Sequence, residues 1–484
     1  CRRRQTVTRV KCLVRLSAVL MLLCAPGASS EDPARPDYIG RLFLEIGFVT
    51  ESAAAAQRRL LSLINAGELG EALQLTTDLQ RSIREDLSES AMRLGKVALN
   101  EALLAAETGD RERAFTAFEA GIGLISDSHG RFHPDLAEAY TARALLHLGR
   151  DNPTSIADLR RAQHIMHRYD GVFSADQVLP LRYLAVAHGA NQQRYRADTD
   201  YRFMVKVSEV NHGADSLAHL PVLVEAASYF SRRGADIPAI PPHWRMPPGP
   251  EESLDHDAYR REPIFREARD LYDHAIGIVE QNHGADDLRI VPLLQGLAQL
   301  RVRQGIGLGS AEHALERALR IVRESPSTDP ADLADAYIRL GDMYTVTSDR
   351  RAAESYLLAW DTLSGDTELE ALRRQLFAHP TRLEVGLPPP ASPDRMPDHA
   401  GPGDPLFVEV SYTVRADGRV EDVRVADSNL PFRWRSYVRT RMGATRYRPR
   451  VVEREPVATR GLSYRHHFTL RLPRSQRQPP SPAG

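Results

Sequence analysis

From about residue 51 to 363 the chain is rich in Ala, Leu, Arg and Glu, and short turns interrupt it at a regular interval. The turn positions Gly67, Gly109, Gly149, Gly234, Gly305 and Ser348 are spaced by 42, 40, 85, 71 and 43 residues. The 85 is two units, with a middle turn near Asn191-Gln192, and the 71 is one unit plus about 29 extra residues. A period near 42 emerges. Stretches such as KVALNEALLAAETGDRERAFTAFEAGIGLI and ADAYIRLGDMYTVTSDRRAAESYLLAW place an apolar helical pattern on each side of a turn. One helix pair of this kind leaves an apolar face open, and only stacking on its neighbours closes the core. About seven stacked pairs are therefore expected, forming a curved solenoid with a concave groove.

The clearest unit carries Leu340-Gly341, Tyr344, Ala353 and Leu357, and His133-Pro134-Asp135-Leu136-Ala137 joins two units. The connector NHGAD occurs twice, at Asn211–Asp215 and Asn282–Asp286. In these features the region resembles tetratricopeptide repeats of the longer, kinesin-light-chain-like kind. The unit at Pro180–Asn211 diverges most. The extra residues, 235–263, center on IPAIPPHWRMPPGPEES. Its prolines forbid helix, which predicts a surface insertion.

Residues 407–472 follow another period. In FVEVSYTV, Val408, Val410, Tyr412 and Val414 share one side of a strand. Asp417 and Gly418 make a hairpin-turn signal, and a second strand returns over roughly 419–426. In NLPFRWRSYVRTRM, Asn429 or Ser428 is expected to cap a helix with Pro431 in its first turn. Trp434, Tyr437, Val438 and Met442 would share its inner face. A last strand puts Leu462, Tyr464, His466, Phe468, Leu470 and Leu472 on one side. The order ββαβ predicts a small α+β sheet with one helix packed on it.

The VEVSYTV strand, the DGRV turn, VRVADS, the short helix, Tyr447-Arg448-Pro449 and Glu455-Pro456-Val457 occur in sequence. In their order and spacing the segment resembles the C-terminal domain of TonB, the periplasmic energy transducer of Gram-negative bacteria. The resemblance covers about 65 of 484 residues. Thr445 stands where that family often has tryptophan, and Glu455 stands near a usual glycine. The resemblance implies a domain that takes an extended segment of an outer-membrane transporter as an added strand. The last strand is the expected edge, with Ser463, Arg465, His467 and Thr469 facing outward.

Charge is unevenly distributed. Residues 406–484 hold 16 Arg and 7 Asp/Glu, a balance of +9, whereas residues 31–405 balance to −16. No recognition helix or RNA-binding motif accompanies the arginines, so no nucleic-acid partner is expected. Residues 1–30 combine six basic residues, the apolar run Leu16 to Cys24 and Ala28-Ser29-Ser30, the pattern of a cleaved secretory signal. The expected location is therefore the periplasm, with an uncleaved inner-membrane anchor as the alternative. Membrane contact is otherwise expected to be indirect. Cys1, Cys12 and Cys24 all fall in this segment, so no disulfide framework or cysteine metal site is expected after it.

Candidate chemistry is sparse. Gly305, Gly307 and Gly309 imitate a nucleotide loop, but such a loop needs a preceding strand. His164 and His167 lie one helical turn apart without a third ligand at suitable spacing. His466 and His467 are adjacent on a strand and point to opposite faces. There is no G-x-S-x-G and no H-E-x-x-H. No cofactor, metal or catalytic activity is expected.

The expected layout is a multidomain chain. It comprises a signal peptide at 1–30, a lead-in at 31–50, an all-α tetratricopeptide-like solenoid at 51–378, a Pro-rich linker at 379–405, a TonB-like ββαβ domain at 406–473 and a disordered tail at 474–484. The Pro-rich stretch of the linker, residues 387–405, would reach on the order of 50 Å if extended. Partners would be proteins or extended peptides. Two functions fit: a TonB-like transducer, or a periplasmic scaffold for envelope assembly without energy transduction.

Overall fold

The computed structural model of the protein describes residues 46–48, 50–85, 90–237, 261–365, 367–383 and 405–468. The signal segment, the tail, Thr469, Leu470 and Leu472, and most of the lead-in, the Pro-rich insertion and the Pro-rich linker lie outside the described residues. Among those described, no helix is long and apolar enough to cross a membrane. The chain divides into two compact units, with the boundary between Ala226 and Ala227.

The first unit contains α1 (Glu51–Ala66), α2 (Leu69–Glu85), α3 (Ala91–Thr108), α4 (Arg111–His129), α5 (Asp135–His147), α6 (Asn152–Tyr169), α7 (Val178–Ala190) and α8 (Arg194–His212). They pack as consecutive hairpins, α1 on α2, α3 on α4, α5 on α6 and α7 on α8. Leu104, Phe118, Ile125 and Leu136 are fully buried in their core. The unit at Pro180–Asn211 folds as the α7–α8 hairpin, with Gln192 at φ 59° in its turn. Asn211 of the first NHGAD connector donates from Nδ2 to the Val207 carbonyl at 2.7 Å.

A helix α9 (Leu220–Asp236) spans the boundary. The second unit continues with α10 (Arg261–His283), α11 (Val291–Gln304), α12 (Leu308–Glu324), α13 (Pro330–Thr347), α14 (Arg351–Thr362) and α15 (Thr367–Phe377). Here too α11 packs on α12 and α13 on α14. Asn282, in the second connector, repeats the bond of Asn211 by donating to the Ile278 carbonyl at 2.8 Å. A tetratricopeptide-like array of helix hairpins is thus the main architecture. The turns predicted at Gly67, Gly109, Gly149, Gly305 and Ser348 all adopt positive φ.

Gly234 differs from the sequence expectation. It lies inside α9, and a Cβ there would meet the Phe265 ring at 2.8 Å. Its role is close packing of α9 against α10, which spacing alone cannot distinguish from a turn.

The C-terminal part of the second unit is the expected ββαβ domain with additions. Strands β2 (Leu406–Val414), β3 (Val420–Ser428) and β7 (Thr459–Phe468) form an antiparallel sheet in the order β3-β2-β7. Helix α16 (Phe432–Ala444) packs on it. Val408, Val410 and Val414 are fully buried, with Val438 and Met442 of α16 in the same core. Trp434 and Tyr437 are half-buried against that core. Asn429 and Ser428 do not cap α16, whose cap position is Pro431. Instead Asn429 Oδ1 accepts from Phe407 N at 2.9 Å and Ser428 Oγ donates to the Phe407 carbonyl at 3.1 Å. They clamp the start of β2, a tertiary use of residues whose short polar side chains also suit caps.

Four three-residue strands were not legible in the sequence. Strand β1 (Thr381–Leu383) pairs with β4 (Arg446–Arg448), and β5 (Arg450–Val452) pairs with β6 (Glu455–Val457). The first of these lies in the stretch expected to be a tether.

Candidate functional site

An extended partner needs a strand edge whose backbone groups are free and evenly spaced. The sheet has two edges, and they are finished differently. Along β3 the register against β2 shifts between Glu409 and Val410 and again between Ser411 and Thr413. Asp422 adopts φ 54°, and Glu421, Asp422, Arg424 and Asp427 are exposed. Bulges and charges of this kind blunt an edge.

Strand β7 is regular where β3 is not. Its register runs without interruption from Leu406 opposite Phe468 to Tyr412 opposite Leu462. No strand among the described residues pairs with its other side. Residues alternate: Ser463, Arg465 and His467 are exposed, whereas Leu462, Tyr464 and His466 are half-buried and Phe468 is buried. Thr469 lies outside the described residues.

On the open face Arg465 is already engaged. Its Nε donates to Glu409 Oε2 at 2.8 Å, and its guanidinium lies 4.5 Å from the Phe407 ring centroid. On the other face Tyr464, His466 and Phe468 form an aromatic row. The Tyr464 hydroxyl is 3.1 Å from His466 Nδ1, and Phe468 meets Trp434 edge to face at 5.3 Å. Arg382 of β1 stacks over Tyr464 at 5.0 Å. Burial, then the nearby Arg382 and His467, lowers the His466 pKa to about 4. The His466 ring is therefore uncharged at neutral pH.

The Asp417-Gly418 turn does not contribute to this edge; it belongs to an anchor. Gly418 has φ 78° and its N–H donates to the Arg415 carbonyl at 3.0 Å. A side chain there would collide with the Tyr447 carbonyl and with Thr345 of α13. Glycine is needed for both the backbone conformation and the close approach. Beside it Arg448 of β4 makes a bidentate pair with Asp342 of α13, Nε to Oδ1 at 2.9 Å and Nη2 to Oδ2 at 2.7 Å.

The rest of the anchor satisfies the same carboxylate. The Tyr356 hydroxyl donates to Asp342 Oδ1 at 2.9 Å, which leaves the Thr345 hydroxyl, also 2.9 Å away, to donate to Tyr356. Burial, then the Asp342 charge, holds the Tyr356 pKa well above its ordinary value, so the phenol remains a donor. Burial opposes the charge on Arg448, but Asp342 more than offsets it and raises that pKa. Gly341 leaves room for Tyr356, whose ring a Cβ would meet at 2.5 Å. Val451 of β5 is buried with Ala334, Ile338, Tyr356 and Phe377 from α13, α14 and α15. Arg454 pairs with Asp361 at 2.7 Å.

Sequence reasoning missed Asp342, Thr345 and Tyr356 altogether. It quoted Arg448 only as part of a motif. In a chain so rich in arginine, nothing local marks Arg448 as a buried one.

The other candidates resolve into structure. Gly305 ends α11 and Gly307 precedes α12, so the glycines join two helices without a strand. His164 tilts against Phe132 at 5.4 Å, and His167 Nε2 lies 2.5 Å from Gln177 Oε1. Among the described residues no group of three or more His, Cys, Asp or Glu is placed to hold a metal ion.

No family model matches the chain. No curated protein matches it either. Among solved structures, BtubC (BKLC) from P. vanneervenii is 17% identical, with a TM-score of 0.34, covering 63% of this chain and 99% of that one. A Podosopora anserina kinesin light chain with nearly identical TPR-like repeats is 15% identical at TM-score 0.37, covering 50% of this chain and 100% of its own. The apo quorum sensor NprR from B. thuringiensis is 12% identical at TM-score 0.35, covering 65% of this chain and 89% of its own.

Proposed function

We propose that this protein is a non-enzymatic, protein-binding scaffold in which helical repeats carry a sheet whose β7 edge takes an extended peptide. The observation that supports this most is the contrast between the two sheet edges. One is bulged and charged, and the other is regular in register and, among the described residues, unpaired over seven residues, 462–468. Backbone hydrogen bonds would supply the affinity and the alternating side chains the selectivity. The exposed faces of the helix hairpins would serve further protein partners.

The narrower reading is a TonB-like role, with an outer-membrane transporter segment on β7. The edge geometry suits it. The anchor favours the scaffold over the transducer, because Asp342, Tyr356 and Arg448 fix the sheet to the last repeat. A transducer's terminal domain is expected to reach its partner on a free spacer. For location we propose export with cleavage after Ser30. That rests on the sequence of residues 1–30 and is tested by N-terminal sequencing of the mature protein.

Strand addition makes a specific demand on β7. Proline removes a backbone donor, whereas truncation to alanine leaves the backbone intact. His467→Pro should weaken binding of a TonB-box-like heptapeptide far more than His467→Ala, with circular dichroism confirming that both variants fold. Equal affinities in two folded variants would move the binding site off β7. Absence of binding to that peptide in the unaltered protein would count against the transporter reading.

A further inference from the structure

Helix α16 packs on β3 and β2, and Tyr464 and His466 of β7 are left half-buried at the rim of the sheet. A cation stands over this rim. Arg382 of β1, whose strand pairs with β4, stacks on the Tyr464 ring at 5.0 Å. Building on the reading of β7 as a strand-accepting edge, we propose that the peptide added there is acidic, with a side-chain carboxylate bound by Arg382.

Arg382 is half-buried, yet among the described residues it forms no ion pair and donates no hydrogen bond. The neighbouring arginines that are withdrawn from water each have an acceptor. Arg448 is paired with Asp342, Arg441 Nε donates to the Tyr437 hydroxyl at 3.0 Å, and Arg446 Nη1 donates to the Thr445 carbonyl at 3.2 Å. Exposed arginines such as Arg424, Arg450 and Arg460 are served by water. Arg382 belongs to neither group. Stacking on Tyr464 covers the flat face of its guanidinium. The N–H donors lie in the plane of that group, in the fork that suits a carboxylate.

The surroundings are complementary to an anion. Strand β7, TRGLSYRHHF, contains no acidic residue. Glu409, the one acid of β2, is taken by Arg465 on the outer face. On the inner face His466 feels the charges of Arg382 and His467, and no carboxylate offsets them. The other edge differs, because β3, VEDVRVADS, holds Glu421, Asp422 and Asp427 against Arg424 alone. The edge open to a peptide is thus cationic, and the blunted edge is acidic. Neighbouring strands lie about 4.8 Å apart, so a glutamate on the inner side of an added strand would reach a guanidinium held over Tyr464. The row of Leu462, Tyr464 and His466 suits apolar side chains at the alternate inner positions.

The test is titration of the full chain with two heptapeptides capped at both ends, Thr-Val-Ser-Glu-Ser-Val-Thr and its twin with Gln in place of Glu. The acidic peptide should bind about tenfold more tightly, and the difference should shrink in high salt. Arg382→Gln should abolish the difference, Arg382→Lys should retain part of it, and Arg450→Gln, on β5, should leave it unchanged. Circular dichroism checks that each variant folds. His467→Pro should weaken binding of both peptides. If it does so while the two peptides bind equally well, the edge stands and the acidic partner is overturned. A preference for Glu that survives Arg382→Gln in a folded variant overturns the assignment to Arg382. Binding of both peptides unaffected by His467→Pro, or no binding of either, overturns the edge itself and this inference with it.

Discussion

Arg448 and Arg465 both pair with a carboxylate, yet they stand in opposite settings. Arg448 is buried, and its partner Asp342 comes from α13, in the last helix hairpin. Arg465 is exposed, and its partner Glu409 is on the neighbouring strand. The first pair is completed by Tyr356 and Thr345, so breaking it strands a charge away from water. The second exchanges with solvent at little cost. One side of the sheet is therefore an anchor and the other a display surface. A similar contact can do either job, depending on what surrounds it.

The largest expected effect breaks the anchor. Asp342→Ala leaves Arg448 buried without its counter-charge and should destabilise the second unit by about 3–5 kcal/mol. Replacing both partners, as Asp342→Ala with Arg448→Met, should recover much of that loss. Denaturant melts of the single and double variants give the coupling, and simple additivity would mean the pair is not an anchor. Gly418→Ala comes next, at about 2–4 kcal/mol, from a positive φ and a collision with the Tyr447 carbonyl. A loss below about 0.5 kcal/mol would show that the hairpin does not press on α13.

The next prediction concerns the aromatic row. Folding lowers the His466 pKa from 6.5 to about 4, so below pH 6.5 the unfolded chain takes up a proton that the folded chain refuses. Its contribution is fully present above pH 6.5 and is lost as pH falls toward 4. His466→Phe should remove that part of the pH dependence, read as the difference between urea midpoints of the two proteins at pH 7 and pH 5. The same slope in both would place the titration elsewhere. The smallest effects belong to the open face. Ser463→Ala and Arg465→Ala should each change stability by less than about 1 kcal/mol. A larger loss at Arg465 would make β7 part of the anchor.

Much of this architecture is legible in the sequence. Helical hairpins at a period near 42 can be read from the turns, because a left-handed residue must end the first helix of most pairs. The ββαβ order can be read from period-two strands and an Asp-Gly turn. What was hidden is long-range. Strands β1, β4, β5 and β6 are three residues each and exist only through their pairing. Gly234 and a turn glycine look alike until Phe265 is placed beside one of them. Thr381–Leu383 follows α15 in a stretch where proline-rich sequence soon suggests a tether, yet it adds a strand beside the anchor. The exposed alternation at Ser463, Arg465 and His467 was readable and the last strand was the expected edge, but the bulges that blunt β3 were not legible.

Hydrogen exchange on the intact chain, read by mass spectrometry, tests the contrast between anchor and edge most directly. Amides of β4 and of the Arg415–Arg419 turn should exchange as slowly as those of α13 and α14, and should lose that protection together in Asp342→Ala. Amides along the open side of β7, within residues 462–468, should exchange orders of magnitude faster than those of central β2. Fast exchange at β4 in the unaltered protein, or protection of β7 equal to that of β2, would contradict the division into an anchored side and an open one.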